Sequence, residues 1–145
     1  MKIFRAPSPG QASLGLAVLR IATAVVFLDH GYQKMFKMGI GGVTGFFTQI
    51  GVPLPGVMAT LITLLEVFGA VALIVGFLTR PLALAFALDM LGAIFLVQMK
   101  NGFPKYELEF LLLGASVALV LTGAGRYSVD AMIAGRTDPS ASRIT

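Results

Sequence analysis

Four long apolar stretches alternate with short clusters of charge, glycine and proline along the 145 residues. A helix needs about 20 mostly apolar residues to cross roughly 30 Å of hydrocarbon. Each stretch approaches this length, so the pattern predicts an all-α integral membrane four-helix bundle. The predicted spans are residues 13–36, 56–78, 82–99 and 106–122.

The segment between the first two spans, residues 39–55, carries its own helical pattern. Apolar side chains recur at spacings of three and four residues and form one stripe, made by Val43, Phe46, Phe47 and Ile50. Gly51 and Pro53 end the pattern. We therefore predict a short helix lying in the membrane interface. A re-entrant cap that only packs on the bundle is the alternative interpretation.

The basic residues indicate how the chain is oriented and divided. Cytoplasmic loops of membrane proteins are enriched in Lys and Arg. The side that holds both termini carries Lys2, Arg5, Arg80, Arg126, Arg136 and Arg143, and the other side carries Lys34, Lys37, Lys100 and Lys105. We therefore predict cytoplasmic termini. Residues 1–12 are the predicted N-terminal segment, residues 13–130 the four-span domain, and residues 131–145 a flexible tail.

The composition excludes several classes of protein. Apolar residues make up 57% of the chain, charged residues 12%, and the mean hydropathy is +0.87. Soluble domains carry roughly 25% charged residues, so a soluble enzyme and a disordered tail are excluded. The net charge of +4 is spread over loops and ends without a basic stripe, which excludes a nucleic-acid partner.

The chain contains no cysteine and one histidine, His30. It therefore forms no disulfide and holds no cysteine-ligated iron–sulfur cluster and no covalent c-type haem. One histidine alone supplies neither a bis-histidine haem site nor a metal site. We predict no metal site, no catalytic residue set and no intrinsic cofactor, so redox chemistry would need a bound quinone or a partner; bound lipid is a further expectation.

Charged residues inside the predicted spans are the most informative feature. Arg20, Glu66 and Asp89 each cost at least about 2.5–3.5 kcal/mol to place in the bilayer, so each needs a partner or a function. Each shares a helix face with small residues, which is typical of faces that point into a bundle. We predict that the three form a buried cluster, with Glu66 holding a proton or a polar ligand. The cluster would fix helix register, form a quinone or proton site, or dock a partner.

A second polar cluster is predicted near the outer surface, where water reaches the side chains. It consists of His30, Lys34, Lys100 and Glu107, with Glu109 as a further candidate. His30 and Lys34 are four residues apart and therefore neighbours on one helix face.

Nine short motifs occur in an order that resembles the DoxX family of small four-span bacterial membrane proteins. They cover residues 14–130 and are Leu19-Arg20, His30-Gly31-Tyr32-Gln33-Lys34-Met35-Phe36, Gly51-Val52-Pro53, Glu66, Gly76-Phe77-Leu78-Thr79-Arg80, Asp89-Met90, Asn101-Gly102-Phe103, Tyr106-Glu107-Leu108 and Thr122–Asp130. The resemblance implies a four-helix membrane bundle in the bacterial inner membrane. It also implies association with redox complexes, including quinone-linked thiosulfate oxidation and membrane oxidoreductase assemblies.

Three functions remain open at this point. The first is an accessory subunit that packs on the helices of a larger electron-transfer complex and shapes a quinone path. The second is a stand-alone quinone-reactive protein with its site near Arg20, Glu66 and Asp89. The third is a small proton-coupled transporter or channel.

Overall fold

The computed structural model describes residues 6–137, which form helices joined by short turns and contain no strand. The helices are α1 (Pro9–Tyr32), α2 (Gly39–Gln49), α3 (Pro55–Leu64), α4 (Ala70–Val75), α5 (Thr79–Ala93), α6 (Glu107–Thr122) and α7 (Val129–Thr137). Three π-helical segments, Gln33–Met38, Leu65–Gly69 and Ile94–Gln98, join or extend them, and the 3₁₀ turns Met99–Asn101 and Phe103–Lys105 precede α6. The predicted all-α fold is confirmed.

Three continuous helical stretches are long and apolar enough to cross a membrane: Pro9–Gln49, Pro55–Val75 and Thr79–Asn101. Helix α6 is apolar but has 16 residues, so it is about 24 Å long at 1.5 Å per residue. This is shorter than the roughly 30 Å hydrocarbon core. Three of the predicted spans are therefore full-length, and the fourth is a shorter helix packed along α5.

The first span begins four residues earlier than predicted because its N-terminus is capped. The backbone N–H of Gln11 donates to Ser8 Oγ at 3.3 Å, and the Ser8 N–H donates to Gln11 Oε1 at 2.9 Å. This reciprocal pair satisfies two N–H groups that have no partner within the helix. Pro9 occupies the first helical position, where its missing N–H costs nothing.

The core of the bundle is built from aromatic and aliphatic side chains that meet between helices. Phe27 of α1 stacks on Phe86 of α5 with ring centroids 4.0 Å apart. Leu73 and Leu119 are fully buried in the same cluster. Small residues allow close helix contact at one crossing: a Cβ on Gly31 would lie 2.8 Å from backbone atoms of Glu66 and Val67.

The predicted helix between the first two spans is α2, and it packs on α3. Val43 and Phe47 are buried with Ala59 in a second, smaller core. Ile50 packs against this core at the end of the stripe, whereas Phe46 is 38% exposed. Gly39 has φ +70°, a backbone conformation that glycine adopts easily, and it turns the chain between the first span and α2.

The end of the bundle at the α4–α5 turn is held by Asp130 of α7. The N–H groups of Leu78 and Thr79 donate to the two Asp130 carboxylate oxygens at 2.8 and 2.9 Å. The carboxylate thereby satisfies free N–H groups at the start of α5. Helix α7 occupies part of the segment predicted as a flexible tail, and residues 138–145 of that tail lie outside the described residues, as do residues 1–5.

Candidate functional site

A cavity of about 650 Å³ lies between the first span, α2, α3 and α5. Most of its wall is aliphatic and aromatic. Ionisable and amide side chains of the three spans and of α6 line it: His30, Lys34, Glu66, Asp89, Gln98 and Glu109. A largely apolar cavity with a few converging polar groups is the usual form of a small-molecule site.

The centre of this polar group is an ion pair between Lys34 and Glu66. Lys34 Nζ donates to Glu66 Oε1 at 2.7 Å and to Oε2 at 2.5 Å. Glu66 is 1% exposed and the Lys34 side chain 23%. The pair therefore joins the end of the first span to the middle of the second in a site largely withdrawn from solvent.

The local backbone brings these two side chains together. Gly31 lies one turn before Lys34, and its missing side chain allows α1 to contact the backbone at Glu66. Lys34 and Glu66 both lie in π-helical segments, Gln33–Met38 and Leu65–Gly69. A π-helical turn contains an extra residue, shifts the side chains that follow it, and is often found at functional sites.

Asp89 of α5 is the third charged residue in the cavity. It interacts electrostatically with Lys34 and Glu66, so one ammonium group faces two carboxylates. Asp89 Oδ2 is buried and receives no N–H donor from any described residue, and the Asp89 carboxyl lies within hydrogen-bonding reach of Glu66. Buried polar atoms are normally hydrogen-bonded, so Asp89 accepts a hydrogen bond either from a protonated Glu66 or from a ligand hydroxyl.

The structure brings together only part of the predicted outer cluster. His30 and Lys34 line the cavity, and His30 interacts electrostatically with Asp29, Lys34 and Glu109. Lys100 and Glu107 are exposed and do not line it. Glu109, two residues after Glu107 and on the other side of α6, lines the cavity instead.

Arg20 does not join the carboxylates, which corrects the expected grouping of Arg20, Glu66 and Asp89. Arg20 is 2% exposed, and its Nη1 and Nη2 donate to the backbone oxygens of Ala124 and Tyr127 at 2.6 and 2.8 Å. These carbonyls belong to the turn after α6, which folds back over this end of the bundle. Arg20 therefore lies at the end opposite the cavity, where it bonds to these backbone oxygens and interacts electrostatically with Asp130.

The fold and the cavity define an α-helical membrane protein with a largely apolar internal site. Residues 15–99 match the model of the DoxX family, which is more than half of the chain. The chain belongs to the DoxX family.

Curated relatives agree with this assignment over most of their length. The protein named "Putative oxidoreductase CatD" from Bacillus subtilis is 36% identical over 83% of this chain and 87% of its own. The "Inner membrane protein YqjF" of Escherichia coli is 33% identical over 83% of this chain and 92% of its own. The "Inner membrane protein YphA" of Escherichia coli is 30% identical over 79% of this chain and 87% of its own. No solved structure matches the chain.

Proposed function

We propose that this protein is the quinone-binding subunit of an electron-transfer assembly in the bacterial inner membrane. The observation that carries the proposal is the apolar cavity in which the carboxyl groups of Glu66 and Asp89 share the ammonium group of Lys34. An apolar cavity with a polar end suits a quinone, because the ring and tail of a quinone are apolar and its two oxygens are polar.

The rim of the cavity favours a ligand that arrives from the bilayer. Leu61 of α3 and Leu88 and Leu96 on the third span line the cavity and are 56%, 60% and 49% exposed. Because these helices cross the membrane, their exposed leucines face lipid. An apolar tail would leave the cavity between the second and third spans without crossing a polar surface.

The polar end of the cavity suits both redox forms of a quinone. Lys34 donates hydrogen bonds, so it would hold a quinone carbonyl oxygen. Asp89 accepts them, so it would hold a quinol hydroxyl. Conversion of quinone to quinol takes up two electrons and two protons, and Glu66, Asp89 and His30 are the groups placed to pass protons at this site.

The electrons would come from a redox-active partner subunit. The chain has no cysteine and one histidine, so it carries no set of ligands for an iron–sulfur cluster or a bis-histidine haem. This supports an accessory role in which the chain supplies the quinone site and the partner supplies the electron carrier. The name of the Bacillus relative is consistent with a redox function.

The side of the bundle that holds both termini carries more Lys and Arg than the other side. This excess supports cytoplasmic termini.

The proposal predicts that Asp89→Asn weakens quinone binding. The purified protein in lipid nanodiscs is titrated with a short-chain naphthoquinol and naphthoquinone by calorimetry. Loss of a hydrogen bond to a charged acceptor is expected to reduce quinol affinity about tenfold or more. Glu107→Gln is the matched control, because Glu107 is an exposed carboxylate that does not line the cavity. Absence of saturable binding, or equal losses in the two variants, would refute the proposal.

The variant Arg20→Met tests whether Arg20 stabilises the fold without contributing to quinone binding. Arg20 makes two hydrogen bonds to backbone carbonyls, one of them buried, so the variant is expected to lower the free energy of unfolding by roughly 2–4 kcal/mol. Since Arg20 does not line the cavity, quinone affinity measured below the unfolding temperature should stay within about twofold of the wild type. A tenfold loss of quinone affinity in the folded variant would show that Arg20 contributes to the binding site.

A further inference from the structure

One strip of the cavity wall is made of small residues around Asp89. Ala85, Asp89, Gly92 and Ala93 lie on one face of α5, and all four line the cavity. From Ala85 to Ala93 the strip extends about 12 Å along the helix axis. Bulky side chains form the rest of the wall, including Leu88 and Met90 of α5 itself. Asp89 is the only polar side chain on this strip.

Helix packing does not account for Gly92. A Cβ on Gly31 would lie 2.8 Å from atoms of the second span, and a Cβ on Gly69 would lie 3.4 Å from side chains of α5, whereas a Cβ on Gly92 would meet nothing within 4 Å. Glycine inside a helix is less stable than alanine. Gly92 thus lowers the stability of α5 without allowing a closer helix contact, and its effect is to leave open space beside Asp89.

We infer that Gly92 sets the size of the head group that the cavity accepts, and that this head group is a fused bicyclic quinone. This inference rests on the proposed function. Gly92 lies one turn after Asp89, so a ring whose hydroxyl reaches Asp89 Oδ2 lies over Gly92. A second fused ring extends along the strip and makes more van der Waals contacts with its side chains than a single ring does.

The test compares a naphthoquinone with a benzoquinone that carries the same short tail. Both are titrated against the wild type, Gly92→Ala, Gly92→Leu and Gly114→Leu in nanodiscs. Gly114 is the matched control, because it is an exposed glycine within α6 that also has no neighbour within 4 Å and does not line the cavity.

The wild type is expected to bind the naphthoquinone more tightly. Gly92→Leu should weaken naphthoquinone binding about tenfold or more and benzoquinone binding less than about threefold, because added side-chain volume collides with the larger ring first. Gly92→Ala should raise the thermal unfolding midpoint, and Gly114→Leu should leave both affinities unchanged.

Two results would overturn the inference: unchanged naphthoquinone binding in Gly92→Leu, or equal losses for the two quinones. Both results leave the proposed function intact, because the wild type still binds quinone. If the folded wild type binds neither quinone, the proposed function fails and the size selection fails with it.

Discussion

Lys34→Met is expected to lower the free energy of unfolding by about 3–5 kcal/mol, because it leaves the Glu66 carboxylate buried without its counter-ion. Glu66 is 1% exposed, and Lys34 bonds to both of its carboxylate oxygens. The measurement is a titration with SDS in mixed micelles, followed by circular dichroism. Lys37→Met is the control, since Lys37 is exposed on the same π-helical segment, and its effect should stay within about 0.5 kcal/mol.

The double variant Lys34→Met/Glu66→Gln makes this prediction sharper. Removing both charges avoids the unpaired buried carboxylate, so the double variant should be more stable than Lys34→Met alone. A double variant no more stable than the single one would show that the loss comes from Lys34 packing. Equal stability of Lys34→Met and Lys37→Met would contradict the ion pair itself.

Gly31→Ala is expected to cost about 1–3 kcal/mol of unfolding free energy, as overpacking at a close contact does. Its Cβ would lie 2.8 Å from backbone atoms of Glu66 and Val67, and backbone cannot move aside as a flexible side chain can. The first and second spans must therefore separate. Since Lys34 is one turn further along the first span, the same shift should weaken quinone binding.

Gly15→Ala provides the comparison on the same helix. A Cβ on Gly15 meets nothing within 4 Å, so the variant should gain about 0.5–1 kcal/mol from helix propensity alone. The same detergent titration measures both variants. Equal and stabilising effects at Gly15 and Gly31 would contradict the close contact between the two spans.

Most of the fold follows from the hydrophobic pattern. The apolar stretches identify the three full spans, and the stripe of Val43 and Phe47 identifies α2. The hydrophobic pattern places the start of the first span at residue 13, because residues 9–12 are not strongly apolar. The spacing of Ser8 and Gln11 is that of a capping box and indicates the earlier start at Pro9. The length of α6 was overestimated by one residue at its start, and even the predicted length is short for a complete crossing.

The candidate site was only partly predictable because helical periodicity gives the face of a residue, not its partner across the bundle. Glu66 and Asp89 line the same cavity, and the cation beside them is Lys34 and not Arg20. Gly31 was the available signal, since a glycine on the same face one turn earlier indicates where two helices touch.

The partners of Arg20 could not be read from the sequence. They are backbone carbonyls of Ala124 and Tyr127, and every residue has a carbonyl. Which of them accept depends on the turn after α6, where Gly123 and Gly125 have φ of +78° and +74°. The cavity could not be predicted from the sequence either, because its volume depends on the separation of the helices and not on the identity of any one residue.

Photoaffinity labelling with an azido-naphthoquinone tests the central claim most directly. The probe is activated in native membranes, and the labelled residues are identified by mass spectrometry with and without excess unlabelled quinone. The account predicts competed labelling on the cavity wall, at residues such as Phe47, Met58 and Leu61. Labelling confined to α6 residues outside the cavity, such as Phe110 and Leu121, or labelling that excess quinone does not reduce, would contradict a quinone site between the first three spans.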